Sequence, residues 1–404
     1  MANGIVSYVG TLAKALEEAG VGCRVLTSQV LEETGDERPL VHRLQTADNS
    51  LISKLMWRID RAGWPHKLFA KALRNEVSQL HAQRALDLVE VEESFGWARH
   101  LGGCGVPIVV RLHGPWFLNG AANGVAQDAA FRRRDAWEKA GILAADAITA
   151  PSHDVLNATR KHYGLPLEDA EVIPNPVEPV GPADRWSLQR CDRNRIVFIG
   201  RFDRHKGGDT MIDAFAHVLR SHPEARLDFV GPDRGCMDDA GREWRIEQYL
   251  GEKLSAEDRA KVTYHGFLPG SAAAELRKRA LVTVAPSRYE TFGIATAEAM
   301  MAGCPLVVCA SGALMELVQD GRNGASASPG DARDVGEKLL AILKDPERAA
   351  RLGRQAAEDA AGRYAPDVVA RQTVAFYQRV LGRFPGSIHP DVRRSDAKPA
   401  SVSA

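Results

Sequence analysis

A chain of 404 residues is too long for one ordinary core, so two domains are expected, and an apolar content of 45% is that of a globular protein. Its 52 Lys and Arg balance 52 Asp and Glu, a net charge of zero that argues against a general nucleic-acid binder. The six cysteines, Cys23, Cys104, Cys191, Cys236, Cys304 and Cys309, include no C-x-x-C pair, which excludes the usual zinc and disulfide frameworks and points to reduced cytoplasmic thiols.

The chain opens on Met1-Ala-Asn-Gly4-Ile5 and runs almost at once into an amphipathic helix, Tyr8 to Ala19, closed by Gly20. An open α/β domain normally begins with a strand feeding a Gly-rich turn. The first strand is therefore expected to be missing: either the true start lies upstream, or the sheet lacks a central strand. Strands follow at Cys23 to Thr27, Leu86 to Val91, Pro107 to Leu112 and Asp146 to Thr149, with helices between them. This alternation predicts an α/β fold on a parallel, doubly wound sheet. Pro174, Pro176, Pro179 and Pro182, then polar Arg190 to Asn194, mark a linker. The pattern restarts with strand Arg195 to Ile199, helix Thr210 to Arg220 and strand Arg226 to Val230. Further strands are read at Val262 to Tyr264, Leu281 to Ala285 and Pro305 to Cys309. A last helix, Asp367 to Leu381, offers Val369, Phe376, Tyr377 and Val380 as an apolar face. The tail from Pro385 is expected to be disordered.

The most informative stretch is Glu290-Thr-Phe-Gly-Ile-Ala-Thr-Ala-Glu298. Ala295 to Ala302 are good helix formers and Gly303 is a natural terminator, so Glu290 is expected at a helix mouth and Glu298 about two turns in, roughly 12 Å further along. The N–H groups of Phe292, Gly293 and Ile294 would be free at that mouth for an anionic phosphate. An acid beyond each end of a diphosphate is what a nucleotide-sugar site needs, one for the sugar and one for the ribose. A second cluster, Gly200-Arg201-Phe-Asp-Arg-His-Lys206-Gly207, follows the strand ending at Ile199. Its Arg and Lys can converge on a pyrophosphate at the carboxyl edge of the sheet; alone, the same residues suit a solvated loop with Asp203 and Arg204 as surface charges. No G-x-G-x-x-G follows a strand, which disfavours a dinucleotide dehydrogenase. Asp238-Asp239 reads as exposed polar sequence, so no metal site is expected.

With both clusters on one α/β unit, the chain resembles the retaining glycosyltransferases of family 4, which use two facing Rossmann-like domains, the GT-B architecture. The likeness is carried by Gly200-Arg201…Lys206-Gly207, Pro286-Ser287…Glu290-Thr-Phe-Gly293…Glu298-Ala-Met300, Gly303-Cys-Pro305 and Gly312…Glu316…Gly321…Gly324. It covers residues 195 to about 345 closely. In the N-terminal half it rests on Gly4-Ile5, His113-Gly114, Ser152, Ile173-Pro-Asn175-Pro-Val177 and a closing helix near Tyr377.

The resemblance implies an acceptor-side domain over residues 1–182, a nucleotide-sugar domain over 190–366, a helix over 367–383 crossing back to the first domain, and a tail over 385–404. It implies catalytic roles for Glu290 and His113, and a diphosphate held by Arg201 and Lys206. Glu298 would accept both ribose hydroxyls. Thr291, Phe292, Gly293 and Ile294 would present backbone amides, while Gly200 and Gly4 would let the backbone come close to the donor. Glu316 and Gly312 would support the site, and Ser311 stands where the family often has glycine. The implied substrates are a UDP- or GDP-sugar and a glycan, lipid-linked or small-molecule acceptor, with no metal or other cofactor. The alternative is a non-catalytic nucleotide-sugar-binding scaffold with a truncated N-terminal domain. A nucleotide-sugar epimerase is disfavoured by the spacing of the two acids.

Residues 51–74 interleave Lys54, Arg58, Arg61, Lys67, Lys71 and Arg74 with Leu55, Met56, Trp57, Trp64, Leu68 and Phe69. That pattern suits peripheral docking on an anionic bilayer, which would place the protein on the inner face of the membrane; the other reading is a lid with its tryptophans packed inward. No apolar run approaches the ~20 residues of a membrane span, and no secretory leader is visible.

Overall fold

In the computed structural model, which describes residues 4–27, 40–44, 63–83 and 86–384, the chain forms two α/β lobes built on parallel sheets. In the N-terminal lobe, β1 (Arg24–Thr27) pairs with β2 (Leu40–Arg43). β3 (Val89–Glu92), β4 (Ile108–Arg111), β5 (Ala147–Ala150) and β6 (Glu171–Val172) form a separate four-stranded sheet in that order. All of β4 is buried, as a parallel strand covered on both faces must be. Its one charge, Arg111, donates to Asn175 Oδ1 at 2.7 Å and lies over the Tyr8 ring.

The described part of this lobe differs from the single doubly wound sheet expected. Its strands fall into two sheets, and the first described element is the helix Gly4–Glu18. β3 is an edge strand, and its Glu90 accepts the hydroxyls of Tyr8 (2.8 Å) and Tyr377 (2.9 Å).

The C-terminal lobe begins with β7 (Asp192–Ile199), three residues earlier than its apolar run suggests, followed by β8 (Arg226–Val230). A short antiparallel pair, β9 (Cys236–Met237) and β10 (Glu243–Trp244), precedes β11 (Val262–Gly266), β12 (Ala280–Ala285), β13 (Leu306–Cys309) and β14 (Ala325–Ala327). The six longer-range strands lie in the order β11-β8-β7-β12-β13-β14, all parallel. From β7 the chain winds outward through β8 to β11; from β12 it winds the other way to β14. The order reverses between β7 and β12, and ligands of such sheets bind outside the carboxyl ends at that reversal.

The chain crosses between the lobes twice. Segment 173–191 carries the linker prolines, which lack the N–H a sheet would need. The second crossing joins helix Pro346–Tyr364 to helix Pro366–Arg383, whose Val369, Phe376 and Val380 share one core with Tyr8, Leu12 and Leu16 of the first helix. The Val177 N–H donates to Tyr364 O at 2.8 Å, so the two crossings are tied to each other.

Helix Gly63–Ala82 turns His66, Ala70, Leu73 and Val77 inward and leaves Lys67 and Lys71 exposed. Residues 51–62 of the basic, aromatic segment and the tail from Pro385 lie outside the described residues. The six cysteines are all free, and no helix among the described residues is long and apolar enough to cross a membrane.

Candidate active site

Because β7 and β12 are hydrogen-bonded neighbours, the loops leaving their carboxyl ends run side by side. Gly207, at φ 70°, permits this: a Cβ there would lie 2.1 Å from Pro286 O. Lys206 Nζ then meets Glu290 Oε1 at 2.6 Å, and Ser287 Oγ donates to the same oxygen at 2.8 Å. Asp203, which a solvated loop would leave as a surface charge, is tied into the loop instead. It accepts Arg201 Nε at 2.5 Å and the Lys206 N–H at 2.7 Å. Burial alone would raise the Glu290 carboxyl, but Lys206, Ser287 and His205 outweigh it and hold it below the usual value. The ion pair is therefore formed at neutral pH.

The helix after this loop starts later than the mouth expected at Glu290. It spans Ile294–Met301 with left-handed Gly293 (φ 88°) at its N-cap. Glu290 thus stands in the preceding loop, and Glu298 lies little more than one turn into the helix, not two. The N–H groups of Thr296 and Ala297 bond Gly293 O, while among the described residues the amides of Phe292, Gly293, Ile294 and Ala295 donate to no protein group. Phe292 is a core residue, its side chain edge-on to Tyr364 at 5.5 Å. Glu298 is half exposed and is steadied by the buried Arg277 at 3.3 Å. Gly200 packs tightly, since a Cβ there would lie 2.7 Å from the Phe198 ring. Behind Glu290, the Ala313 N–H donates to Glu290 O at 2.9 Å, over Gly312 at φ 52°. Ser311 donates its hydroxyl to Ser287 O at 2.7 Å, so the side chain found in place of glycine braces the loop.

The N-terminal lobe closes the other side. His113 follows β4; its N–H and that of Gly114 donate to the two oxygens of Glu93 at 2.9 and 2.8 Å. The His113 ring packs edge-on to Tyr8, and burial with Arg111 nearby holds its pKa well below the usual histidine range, so the imidazole is neutral. Burial, with Glu138 and Glu92 adding to it, pushes the Glu93 carboxyl up to about 8 against the two backbone donors. A Cβ on Gly114 would lie 2.9 Å from Thr291 Cγ2, and one on Gly4 would lie 3.2 Å from Ile294 Cδ1. Both glycines are where the lobes touch.

Polar contacts span the same gap. Ser152 Oγ donates to Thr291 O at 2.9 Å. The Glu316 carboxylate accepts the N–H groups of His153 (3.0 Å) and Asp154 (2.8 Å), capping helix His153–Tyr163 from the other lobe. Tyr289 donates to Asp154 at 2.8 Å, and Arg201 Nη2 donates to Asn123 Oδ1 at 3.2 Å. Glu93, Asn123 and Tyr289 escaped the sequence reading. Tyr289 adjoins the acid motif and Glu93 directly follows a strand, which are the two available signals; Asn123 has none.

Asp238 anchors the β9–β10 turn, accepting Trp244 Nε1 at 2.9 Å, while Asp239 pairs with Arg204 at 2.6 Å. The cleft as a whole presents Arg201, Lys206 and a helix mouth, flanked by Glu290 and Glu298.

Two family profiles match the chain: "Glycosyltransferase Family 4" over residues 2–180 and "Glycosyl transferases group 1" over residues 182–359. Mannosylfructose-phosphate synthase of Agrobacterium fabrum is 29% identical over 61% of this chain and 56% of its own length. Glycogen synthase of Mycobacterium tuberculosis is 28% identical over 67% of this chain and 63% of its own length. The chain thus spans less than two thirds of these curated relatives. Among solved structures, sucrose-phosphate synthase from Thermosynechococcus elongatus superposes with a TM-score of 0.70 at 24% identity, covering 94% of each chain. Anabaena Alr3699/HepE in complex with UDP-glucose gives 0.65 at 17% identity over 94% of this chain and 97% of its own. These similarities show the two-lobed GT-B fold.

Proposed function

The chain belongs to the group 1, family 4 glycosyltransferases, and from that premise we propose that it is a retaining enzyme moving a sugar from a nucleoside-diphosphate donor to an acceptor on the N-terminal lobe. The observation that carries this reading is the Lys206–Glu290 pair, set at the reversal point of the C-terminal sheet beside Arg201 and the Gly293-capped helix. Arg201 and Lys206 hold the diphosphate and stabilise its charge as it leaves, assisted by the amides of Ile294 and Ala295. Donors aimed at such developing charge are worth ~3–4 kcal/mol each. Glu290 takes hydroxyls of the transferred sugar, with backbone from Thr291 to Gly293 beside it, and Glu298 takes the ribose hydroxyls. Neutral His113 hydrogen-bonds the donor sugar or the acceptor from the opposite lobe.

The sugar–phosphate bond breaks through an oxocarbenium-like state. The acceptor hydroxyl attacks from the face the diphosphate is leaving and passes its proton to that phosphate, which retains configuration. The donor class is a UDP- or GDP-sugar, in line with the UDP-glucose held by HepE. The base would sit outside β8 and β11, by Gly231-Pro232 and Gly266-Phe267; the Phe267 side chain is exposed there. No metal is needed in this scheme, since the two cations and the helix mouth do its work; undiminished turnover in EDTA is the expected result.

A panel of UDP- and GDP-sugars, assayed for donor-dependent release of the nucleoside diphosphate, tests the reading. Release that persists in Glu290→Gln at the wild-type rate would overturn it. Nucleotide binding with neither transfer nor hydrolysis would leave a binding scaffold. We also propose peripheral contact with anionic membrane through the basic face of helix Gly63–Ala82, where Lys67 and Lys71 are exposed. Liposome flotation with no preference for anionic over neutral lipid would remove it.

A further inference from the structure

A cavity of about 600 Å³ in the N-terminal lobe takes no part in the donor site. It lies between segment Ser94–His100 and helices Gly63–Ala82 and Ala129–Leu143. Its floor is aromatic: His66 is stacked between Trp97 (centroids 4.2 Å) and Trp137 (4.4 Å). Burial, with Arg99 and His100 nearby, lowers His66 to about 4, so it is a flat neutral ring and not a cation.

The charge comes from two arginines. Arg134 lies 4.0 Å from the Phe95 ring centroid and 3.8 Å from that of Trp116, and its Nε donates to Glu138 at 3.1 Å. Arg133 lies over Trp137. Among the described residues, the terminal nitrogens of both guanidiniums make no hydrogen bond to protein. These stacked forks are pre-set in direction and free to bind. Glu92, at the end of β3, also lines the cavity, its carboxyl making no hydrogen bond among the described residues; burial raises that carboxyl despite Arg134.

The wall is held in strained backbone. Phe95 (φ 59°) and Gly96 (φ 63°) are both left-handed, and a Cβ on Gly96 would lie 1.8 Å from Trp137 O. Fully buried Glu138 fixes this turn by accepting the Phe95 N–H at 3.4 Å and the Trp116 N–H at 2.6 Å. Strain of this kind persists only where the surroundings enforce it, and it keeps the Phe95 ring partly exposed at the cavity. The cavity also adjoins the cleft. Glu92 precedes Glu93, which holds the backbone of His113 and Gly114, and Trp116 opens the helix that follows that loop.

Resting on the transfer reaction proposed above, we infer that this cavity is the acceptor subsite and takes a sugar-type ring bearing an anionic group. The ring packs against Phe95 and the edge of the Trp97–His66–Trp137 stack, the anion meets Arg133 and Arg134, and hydroxyls face Glu92. Phosphate and carboxylate sources share this chemistry, so both enter the test.

The test is a tryptophan-fluorescence titration of the full chain with glucose 1-phosphate, glucose 6-phosphate, glucuronate, glucose and inorganic phosphate, with UDP titrated in parallel. A saturable response to at least one anionic sugar is expected, weakened at least tenfold in Arg133→Gln and in Arg134→Gln, with UDP affinity unchanged. Arg133 is exposed, so its variant keeps the fold if Arg134→Gln does not. A response to the sugar phosphates or to glucuronate alone identifies the anion. Glucose or inorganic phosphate matching the anionic sugars, a response indifferent to both substitutions, or silence with every anionic sugar overturns the assignment. Loss of UDP binding in the wild type would instead condemn the donor site.

Discussion

The two lobes bring different kinds of chemistry to the cleft. The C-terminal lobe supplies Arg201, Lys206, Glu290 and Glu298 from two short contiguous motifs on neighbouring strands. The N-terminal lobe supplies His113, Asn123, Ser152 and the Trp97–Trp137 cavity from separate strand ends and helices, joined only in three dimensions. On the proposed reading this division follows the substrates. Diphosphate and ribose are common to every nucleotide sugar, so one fixed spacing of charge serves them. An acceptor varies, and stacked rings with oriented arginines can be assembled from many positions.

The sharpest way to break the comparison is Lys206→Ala. Loss of this cation should cut single-turnover transfer on the order of 10²-fold, and Arg201→Ala at least tenfold; unchanged rates would remove the motif lobe from the chemistry. Glu298→Ala should act on binding instead, raising the donor KM about tenfold at nearly constant kcat, because ribose contacts are equal in ground and transition states. Glu316→Ala tests whether the lobes work as a unit. It removes a helix cap supplied from across the gap and should lower kcat/KM several-fold, in keeping with about 1 kcal/mol for a cap.

The smallest expected effect is on stability. Glu93 rises from 4.5 to about 8 in the folded chain, so the native state holds an extra proton across that window. Its contribution is present in full below the unfolded value and is lost as pH rises through about 8. The melting temperature should therefore fall more between pH 6 and 9 in the wild type than in Glu93→Gln.

The sequence made the donor side legible for physical reasons. β8 matches its apolar run Arg226 to Val230, and β12 and β13 match theirs within a residue, because strands buried on both faces leave continuous hydrophobic runs. The helix mouth expected at Glu290 falls instead at Ile294 because left-handed Gly293 sets it, and a glycine beside a helix-prone stretch does not announce its φ. β6 and β14, of two and three residues, are too short for periodicity to register. Glu93 and Asn123 are single polar residues whose partners lie on other elements, so no local pattern marks them. Trp97, Trp137 and Arg134 likewise gain meaning only once helix Ala129–Leu143 lies against segment Ser94–His100.

The paired crossings have a consequence for how this molecule can come apart. The exposed stretch 181–185 is an accessible place for a protease to cut, yet such a nick would not free the halves. The final helix would still stitch them, with Val369, Phe376 and Val380 buried among the first helix's side chains. A nicked sample should therefore travel as one particle under native conditions and separate into two fragments only in denaturant. Removing residues 366–384 should do the reverse, leaving the linker whole while baring apolar surface on the N-terminal lobe.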